Sequence, residues 1–289
     1  MAVPMNTSSP HFTGRARPVA AALMLALSPV TLLAPVAPVQ AQTLFGSPVT
    51  EAEILPGWRA ADGTRMAALR LRMTPGWHTY WRIPGDAGIA PRFDWSRSQN
   101  IAAIEPIWPR PTVFTQNGLQ SFGYEDELIL PLRITPRNPD RPMAIIGTLE
   151  IGVCRDTCVP VDLQVSGALR GAGGADPVIA ASLEQRAEAA DGFGLRRTTC
   201  RVEPASRGAE LTLRATVPQI GPGEQIVMEL PGSGYWISNS QTWREGADLV
   251  AQARVRNTGD GPVGIDRSSL SFTILSDRRM VFSRGCVGG

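Results

Sequence analysis

Apolar and polar residues alternate along most of this chain. Leu69, Leu71 and Met73 alternate with Arg70 and Arg72. Ile145, Gly147, Leu149, Ile151 and Val153 form a second such run, and Val159, Val161, Leu163 and Val165 a third. A period of two marks strands with one buried face. Short runs at 101–108 and 128–134 add two strands, the second expected at a sheet edge because Pro131 lacks an N–H. Turn clusters such as Pro84-Gly85-Asp86 and Asn117-Gly118 separate the runs. From residue 43 to about 169 there is no long helical stripe, so the pattern predicts an antiparallel β-sandwich.

The pattern changes at Gly171-Ala172-Gly173-Gly174. Asp176 can cap a helix with Pro177 at its first position, Ile179, Leu183 and Ala187 make a stripe at four-residue spacing, and Gly192 ends it. A glycine-rich turn before a helix invites a dinucleotide reading. The sixth position of that fingerprint is Asp176, however, and no βαβ pattern surrounds it. Strand alternation resumes at Leu211/Leu213/Ala215/Val217, Ile226/Met228/Leu230, Leu249/Ala251/Ala253/Val255 and Leu270/Phe272/Ile274, with Thr258-Gly259-Asp260-Gly261 as a turn.

The first residues read as a targeting segment. Arg15 and Arg17 precede an apolar run from 19 to 33, and Val39-Gln40-Ala41 suits cleavage. Prolines 29, 35 and 38 interrupt that run, and it is short of a membrane span. Removing residues 1–41 takes two arginines and no acid, leaving a net charge of zero. That balance argues against nucleic acid or an anionic membrane as partner. All 28 basic residues are Arg. No later run is of membrane-spanning length, so the exported chain is expected to be soluble, in a compartment where disulfides persist.

The four cysteines then matter most. Arg155-Asp156-Thr157 separate Cys154 from Cys158. Extended, that segment would hold the two Cα atoms about 13 Å apart at roughly 3.3 Å per residue, whereas a disulfide needs about 5.5 Å. A three-residue hairpin loop makes them the first cross-strand pair, although Thr157 stands where such loops prefer Gly. By the chain-entropy relation this small loop stabilises by only about 2 kcal/mol, against about 4.6 kcal/mol for closing Cys200 to Cys286. Cys200–Cys286 therefore reads as a structural disulfide joining the first strand of the second half to its last. The short pair suits thiol–disulfide exchange, in which one thiolate attacks and its neighbour resolves the mixed disulfide. A structural clip and a metal ligand remain the alternatives.

The first half also resembles a known family. Gly76-Trp77-His78-Thr79-Tyr80-Trp81-Arg82, Pro84-Gly85-Asp86-Ala87-Gly88 and Pro91-Arg92-Phe93-Asp94-Trp95 follow one another. Trp108-Pro109, Phe122-Gly123-Tyr124-Glu125, Leu130-Pro131 and Val153-Cys154-Arg155-Asp156-Thr157-Cys158-Val159-Pro160 complete the series. This succession, over roughly residues 51–165, resembles the N-terminal domain of the thiol:disulfide interchange protein DsbD family. It is most similar to the C-x-x-x-C subgroup that includes suppressor-of-copper-sensitivity proteins. The resemblance implies an immunoglobulin-like fold, a periplasmic location, and Cys154 and Cys158 as the redox pair. It implies as partners a membrane thiol:disulfide transporter and periplasmic thioredoxin-like proteins. The family's membrane and thioredoxin-like domains have no counterpart in this chain.

The expectation is therefore an all-β chain: signal peptide 1–41, immunoglobulin-like redox domain 42–170, linker with a short helix 171–192, and a second β-sandwich module 193–289. His78 suits a base for Cys154, but beside Trp77, Tyr80 and Trp81 it also reads as a packed residue. Trp77, Tyr80, Trp81 and Trp95 read as core. Phe122 and Tyr124, in a glycine-containing turn, are the expected shield of the disulfide, and Arg155 next to Cys154 favours its thiolate while Asp156 opposes it. No cofactor is expected. Hydrolysis by a triad lacks a G-x-S-x-G, and structural zinc would need four ligands. Copper(I) is the metal alternative, with Met66, Met73, Met143, Met228 and Met280 as thioethers.

Overall fold

The alternating runs become stacked sheets. The computed structural model describes residues 47–116, 118–232, 234–259 and 261–289, so the expected signal peptide and Asp260 of the expected turn lie outside the described residues. Ten strands come first: β1 (Val49–Arg59), β2 (Arg65–Met73), β3 (His78–Gly85), β4 (Arg92–Asp94), β5 (Ile101–Pro106), β6 (Thr112–Gln116), β7 (Leu119–Glu125), β8 (Glu127–Pro136), β9 (Met143–Cys154) and β10 (Cys158–Leu169). One sheet runs β1-β2-β8-β5; the other runs β10-β9-β3-β7-β6, with β4 added on β9. Every pairing among them is antiparallel, and the sandwich is immunoglobulin-like.

Leu69, Leu71, Leu130 and Leu132 from one sheet meet Leu149, Ile151, Val153 and Val165 from the other in a single buried cluster, with Trp81 and Phe122 fully enclosed. Each such side chain contributes about 1.5–3 kcal/mol through burial. Pro131 does not put β8 at an edge, because β8 lies between β2 and β5. The carbonyl of Pro131 accepts from Ile107 N at 2.8 Å, just past the end of β5 at Pro106. Its missing N–H points to the same side, where the β5 ladder has already stopped.

The helix forms as α1 (Pro177–Glu184), with the Asp176 carboxylate accepting from Val178 N and Ile179 N. It ends at Gln185 rather than at Gly192. Ile179 and Leu183 pack on Met66 and Ala68, and Ser182 Oγ donates to Ile129 O at 2.7 Å, so α1 lies against the first sandwich. A second, single-turn helix, Ala190–Phe193, contains Gly192, and Gly194 in the left-handed conformation closes it.

Residues 188–288 build two more sheets. One holds Glu188–Ala189, Met280–Arg284, Ser271–Leu275 and Gln225–Glu229 in that spatial order. The other centres on Asp248–Asn257 and Gly208–Thr216. Leu211, Leu213, Ile226, Leu249, Val255 and Phe272 form their shared core.

The two sandwiches adhere. The described residues from 47 to 289 belong to one compact unit, and the first core cluster continues into Val227, Leu275 and Met280. Arg82 on β3 meets Glu229 at 2.6 Å and Thr273 at 3.1 Å. Gln225 bonds Gln120 at 2.6 Å, Asn239 bonds the Gln120 carbonyl at 2.7 Å and Asp86 at 3.1 Å, and Arg110 reaches Asp277 O.

Candidate functional site

Cys154 ends β9 and Cys158 begins β10, directly opposed in register. Their Cα atoms are 4.1 Å apart and they form a disulfide. Thr157 does not adopt the left-handed conformation that the loop position favours in glycine; among the described residues, the non-glycine ones that do are Asn100 and Asp126. The two cysteines differ sharply in exposure. Cys154 is 2% exposed, whereas Cys158 lies open at the surface.

Strand parity decides what surrounds them. On β9, Leu149, Ile151 and Val153 face the core, so Gly152 and Cys154 face outward. On β3, Trp77, at the strand's entrance, and Trp81 face the core, which turns His78, Tyr80 and Arg82 outward with the cysteines. Tyr80 is the residue that touches both sulfurs: its hydroxyl donates to Cys154 Sγ at 2.8 Å and lies 3.2 Å from Cys158 Sγ. Burial pushes the Tyr80 phenol above its ordinary value, so it stays a donor at neutral pH.

The segment after β3 folds back to cover that ring. A side chain on Gly88 would come within 2.7 Å of the Tyr80 ring, and one on Gly152 within 2.6 Å of Ile89. Both glycines are therefore required for the close approach of this segment to Tyr80 and β9. The Thr79 hydroxyl fastens β3 to β9 through Gly152 O at 2.9 Å.

Phe122 and Tyr124 do not shield the disulfide. They sit on the inner face of β7: Phe122 packs edge-on against Trp81 at 6.2 Å, and Tyr124 stacks with Trp108 and donates to Pro109 O at 2.8 Å. Parity puts their rings in the core, and burial holds the Tyr124 phenol well above its ordinary value. Tyr80 is as buried as these rings, at 2% exposure, but lies outside that cluster, while Trp77, Trp81 and Trp95 are in it or packed against it. The sequence signal that separates them is position along β3, one residue out of phase with the tryptophans.

Arg155 and Asp156 answer each other. Arg155 Nε meets Asp156 Oδ2 at 3.1 Å and its guanidinium lies 5.3 Å over the Trp77 ring, so neither charge is aimed alone at the sulfurs. His78 is half-buried, stacked on Phe114 at 4.5 Å and edge-on to Tyr80 at 5.4 Å. Burial lowers its pKa, and the charge of Glu125 acts in the opposite sense.

The thioethers proposed for copper are elsewhere. Met66, Met73, Met143, Met228 and Met280 are buried in core clusters, and Met143 stands at the opposite end of β9 from Cys154. No group of three or more His, Cys, Asp or Glu side chains among the described residues is arranged to hold a metal ion. No helix among the described residues is long and apolar enough to cross a membrane.

Cys200 and Cys286 form the second disulfide, with Cα atoms 5.7 Å apart. Cys200 is 1% exposed and belongs to the second core.

Residues 51–169 match the family model described as the thiol:disulfide interchange protein DsbD, N-terminal. That range contains both cysteines of the hairpin pair and Tyr80. Six chains of solved structures match. One is the N-terminal periplasmic domain of ScsB from Proteus mirabilis, with a TM-score of 0.60 and 22% identity over 82% of this chain and 91% of that one. Coverage this long extends past the first sandwich, so the second half also has a counterpart in fold. No curated protein matches the chain.

Proposed function

We propose that the chain is a periplasmic thiol–disulfide exchange protein whose Cys154–Cys158 pair carries electrons between a membrane thiol:disulfide transporter and thioredoxin-like proteins. In this reading residues 42–170 are the redox domain and 193–289 a second module that braces it. The observation that carries the proposal is the asymmetry of the pair: one open sulfur, one buried sulfur, and a tyrosine hydroxyl on both. The match of residues 51–169 supports it.

The chemistry follows from access. A partner thiolate attacks Cys158 Sγ, the open sulfur, and forms a mixed disulfide. The Cys154–Cys158 bond breaks and its electron pair leaves on Cys154, whose thiolate receives the Tyr80 O–H. A hydrogen bond to a charged acceptor contributes about 1.5–3 kcal/mol, which offsets part of the cost of a thiolate in a buried place. The partner's own second thiolate then attacks the partner sulfur of the mixed disulfide; the electron pair of the broken bond leaves on Cys158, which frees the partner as a disulfide and leaves the chain as a dithiol.

A redox titration tests this. The pair should equilibrate with a small dithiol at a potential above the roughly −300 mV below which structural disulfides fall. In cells, Cys154→Ser keeps the open Cys158 and should accumulate a mixed disulfide visible on a non-reducing gel. Cys158→Ser leaves only the buried sulfur and should capture far less. If neither variant captures a partner while the purified protein binds copper(I) through the same two sulfurs, the exchange reading is wrong.

A further inference from the structure

Four chemically active residues stand in one row across the outer face of the larger sheet. Cys158 is opposite Cys154, Cys154 is opposite His78, and His78 is opposite Glu125, on β10, β9, β3 and β7 in turn. Directly opposed residues of antiparallel strands point to the same side with Cβ atoms about 4.5–5.5 Å apart. The disulfide shows this for its own pair. Tyr80, two residues along β3 from His78, shows it for the next strand by touching both sulfurs while its ring meets the imidazole.

Reduction creates a problem that this row can solve. Cys154 must become a nucleophile to resolve a mixed disulfide at Cys158, but it is almost wholly buried, and burial opposes the thiolate. Tyr80 can donate to a thiolate but cannot take the proton, since its own phenol stays protonated. His78 is the adjacent group that can. The imidazole makes no hydrogen bond to any described residue, and its ring rests on Phe114, which is uncharged. Of the charged groups around it, Arg155 at the tip of β9 and β10 is engaged with Asp156 and Trp77. Glu125 on β7 is the carboxylate that acts on the imidazole.

We propose that His78 is the general base and acid for Cys154, and that Glu125 is a positioning residue that stabilises the imidazolium. The inference rests on the exchange reading above. In the resolving step Cys154 S–H gives its proton to His78 as its sulfur attacks Cys158 Sγ. The bond between Cys158 and the partner sulfur breaks, its electron pair leaves on the partner thiolate, and that thiolate takes up a proton from the imidazolium or from water. The chain's dithiol is oxidised and the partner disulfide is reduced. The reverse sequence protonates Cys154 when a partner thiol opens the disulfide.

The reduced exported chain can be mixed with the chromogenic disulfide 5,5′-dithiobis(2-nitrobenzoate). Attack by the open sulfur releases one thionitrobenzoate, and resolution by Cys154 releases the second. General-base catalysis is typically worth a factor of 10² to 10⁴, so His78→Gln should slow the second release relative to the first at least tenfold at pH 7. The variant's rate should rise steadily with pH, where the wild type shows a plateau above the histidine pKa. Glu125→Gln keeps the base but should lower the His78 pKa, seen in the ring-proton NMR titration and as a shift of the plateau edge to lower pH. An unchanged ratio and pH profile in His78→Gln overturns the role of His78. A titration of His78 unmoved in Glu125→Gln overturns that of Glu125. A wild-type chain that never makes the second release overturns the exchange reading itself, which separates the two failures.

Discussion

The two disulfides of this molecule are opposites. Cys154–Cys158 closes a three-residue loop at the tip of a hairpin, with one cysteine exposed, the other buried and a tyrosine hydroxyl on both sulfurs. Cys200–Cys286 ties residues 86 positions apart, inside or beside the second core. Each pair has one buried cysteine, but the other is exposed in the short loop (Cys158) and half-buried in the long one (Cys286), the direction expected if the first serves chemistry and the second stability. A bond meant to open and close should contribute little to folding, or each turnover would threaten the fold. A bond meant to hold should close a long loop and keep its sulfurs away from thiolates. The second sandwich carries the long-loop disulfide, and through Arg82–Glu229 it grips the same strand that presents Tyr80.

The largest expected effect tests that division directly. Replacing both Cys200 and Cys286 by Ser removes about 4.6 kcal/mol of chain-entropy stabilisation. At about 2–4 °C per kcal/mol for a unit of this size, the melting temperature should fall by about 9–18 °C. Calorimetry on Cys154→Ser/Cys158→Ser should show less than half of that. If the small loop proves as costly to lose as the large one, the contrast between staple and exchanger breaks.

Next in size is the tyrosine. Tyr80→Phe keeps the ring packed by the Gly88 segment and removes only the hydroxyl on the two sulfurs. Loss of a hydrogen bond to a thiolate, about 1.5–3 kcal/mol, should raise the apparent pKa of the Cys154 thiol by roughly one to two units. The pH dependence of alkylation by iodoacetamide in the reduced protein reads this. An unshifted profile would show that Tyr80 fills space and nothing more.

Much of this was legible in the residues themselves. The C-x-x-x-C spacing between two alternating runs sets the hairpin and its register, and Asp176-Pro177 marks the start of α1. Tyr80 was hidden because β3 carries aromatic rings on both faces, so composition could not tell the core side from the site side. The out-of-phase positions of Trp77, Thr79 and Trp81 against His78, Tyr80 and Arg82 hold the answer, but only once one ring is known to be buried. Pro131 misled for a related reason: a proline costs a ladder bond only where a neighbouring strand is present beside it. The row from Cys158 to Glu125 needs the relative register of four strands, which no local pattern carries.

A smaller effect concerns the contact between the sandwiches. Arg82→Ala leaves Glu229 without its partner at a place where that carboxylate's side chain is only 11% exposed. A fully buried pair broken this way costs about 3–5 kcal/mol; with Arg82 itself partly in solvent, about 2 kcal/mol is expected, a fall of about 4–8 °C on the same scale. The double variant Arg82→Ala/Glu229→Ala should recover part of it. No recovery would mean that the pair adds nothing beyond the apolar contact of Val227, Leu275 and Met280 with the first core.

The smallest effect is a pH dependence confined to one side of the comparison. His78 is the one histidine among the described residues, and it lies opposite Cys154 of the hairpin disulfide in register. Burial lowers its folded pKa below the ordinary value of 6.5, with Glu125 pulling the other way. The unfolded chain then binds the proton more readily than the folded one, so unfolding free energy decreases as pH falls. The contribution of His78 is fully present above 6.5, the unfolded value, and is lost as pH drops from there through the depressed folded value. Asp and Glu with lowered values, such as Glu224 beside Arg244, titrate at lower pH and are common to wild type and variant. Urea midpoints of the oxidised wild type and His78→Gln, compared at pH 7.5 and pH 5, should therefore show the wild type losing ground to the variant on the acid side. A wild type that gains ground instead would mean that the folded protein holds His78 charged against Glu125, and an imidazole already protonated could not take the proton of Cys154.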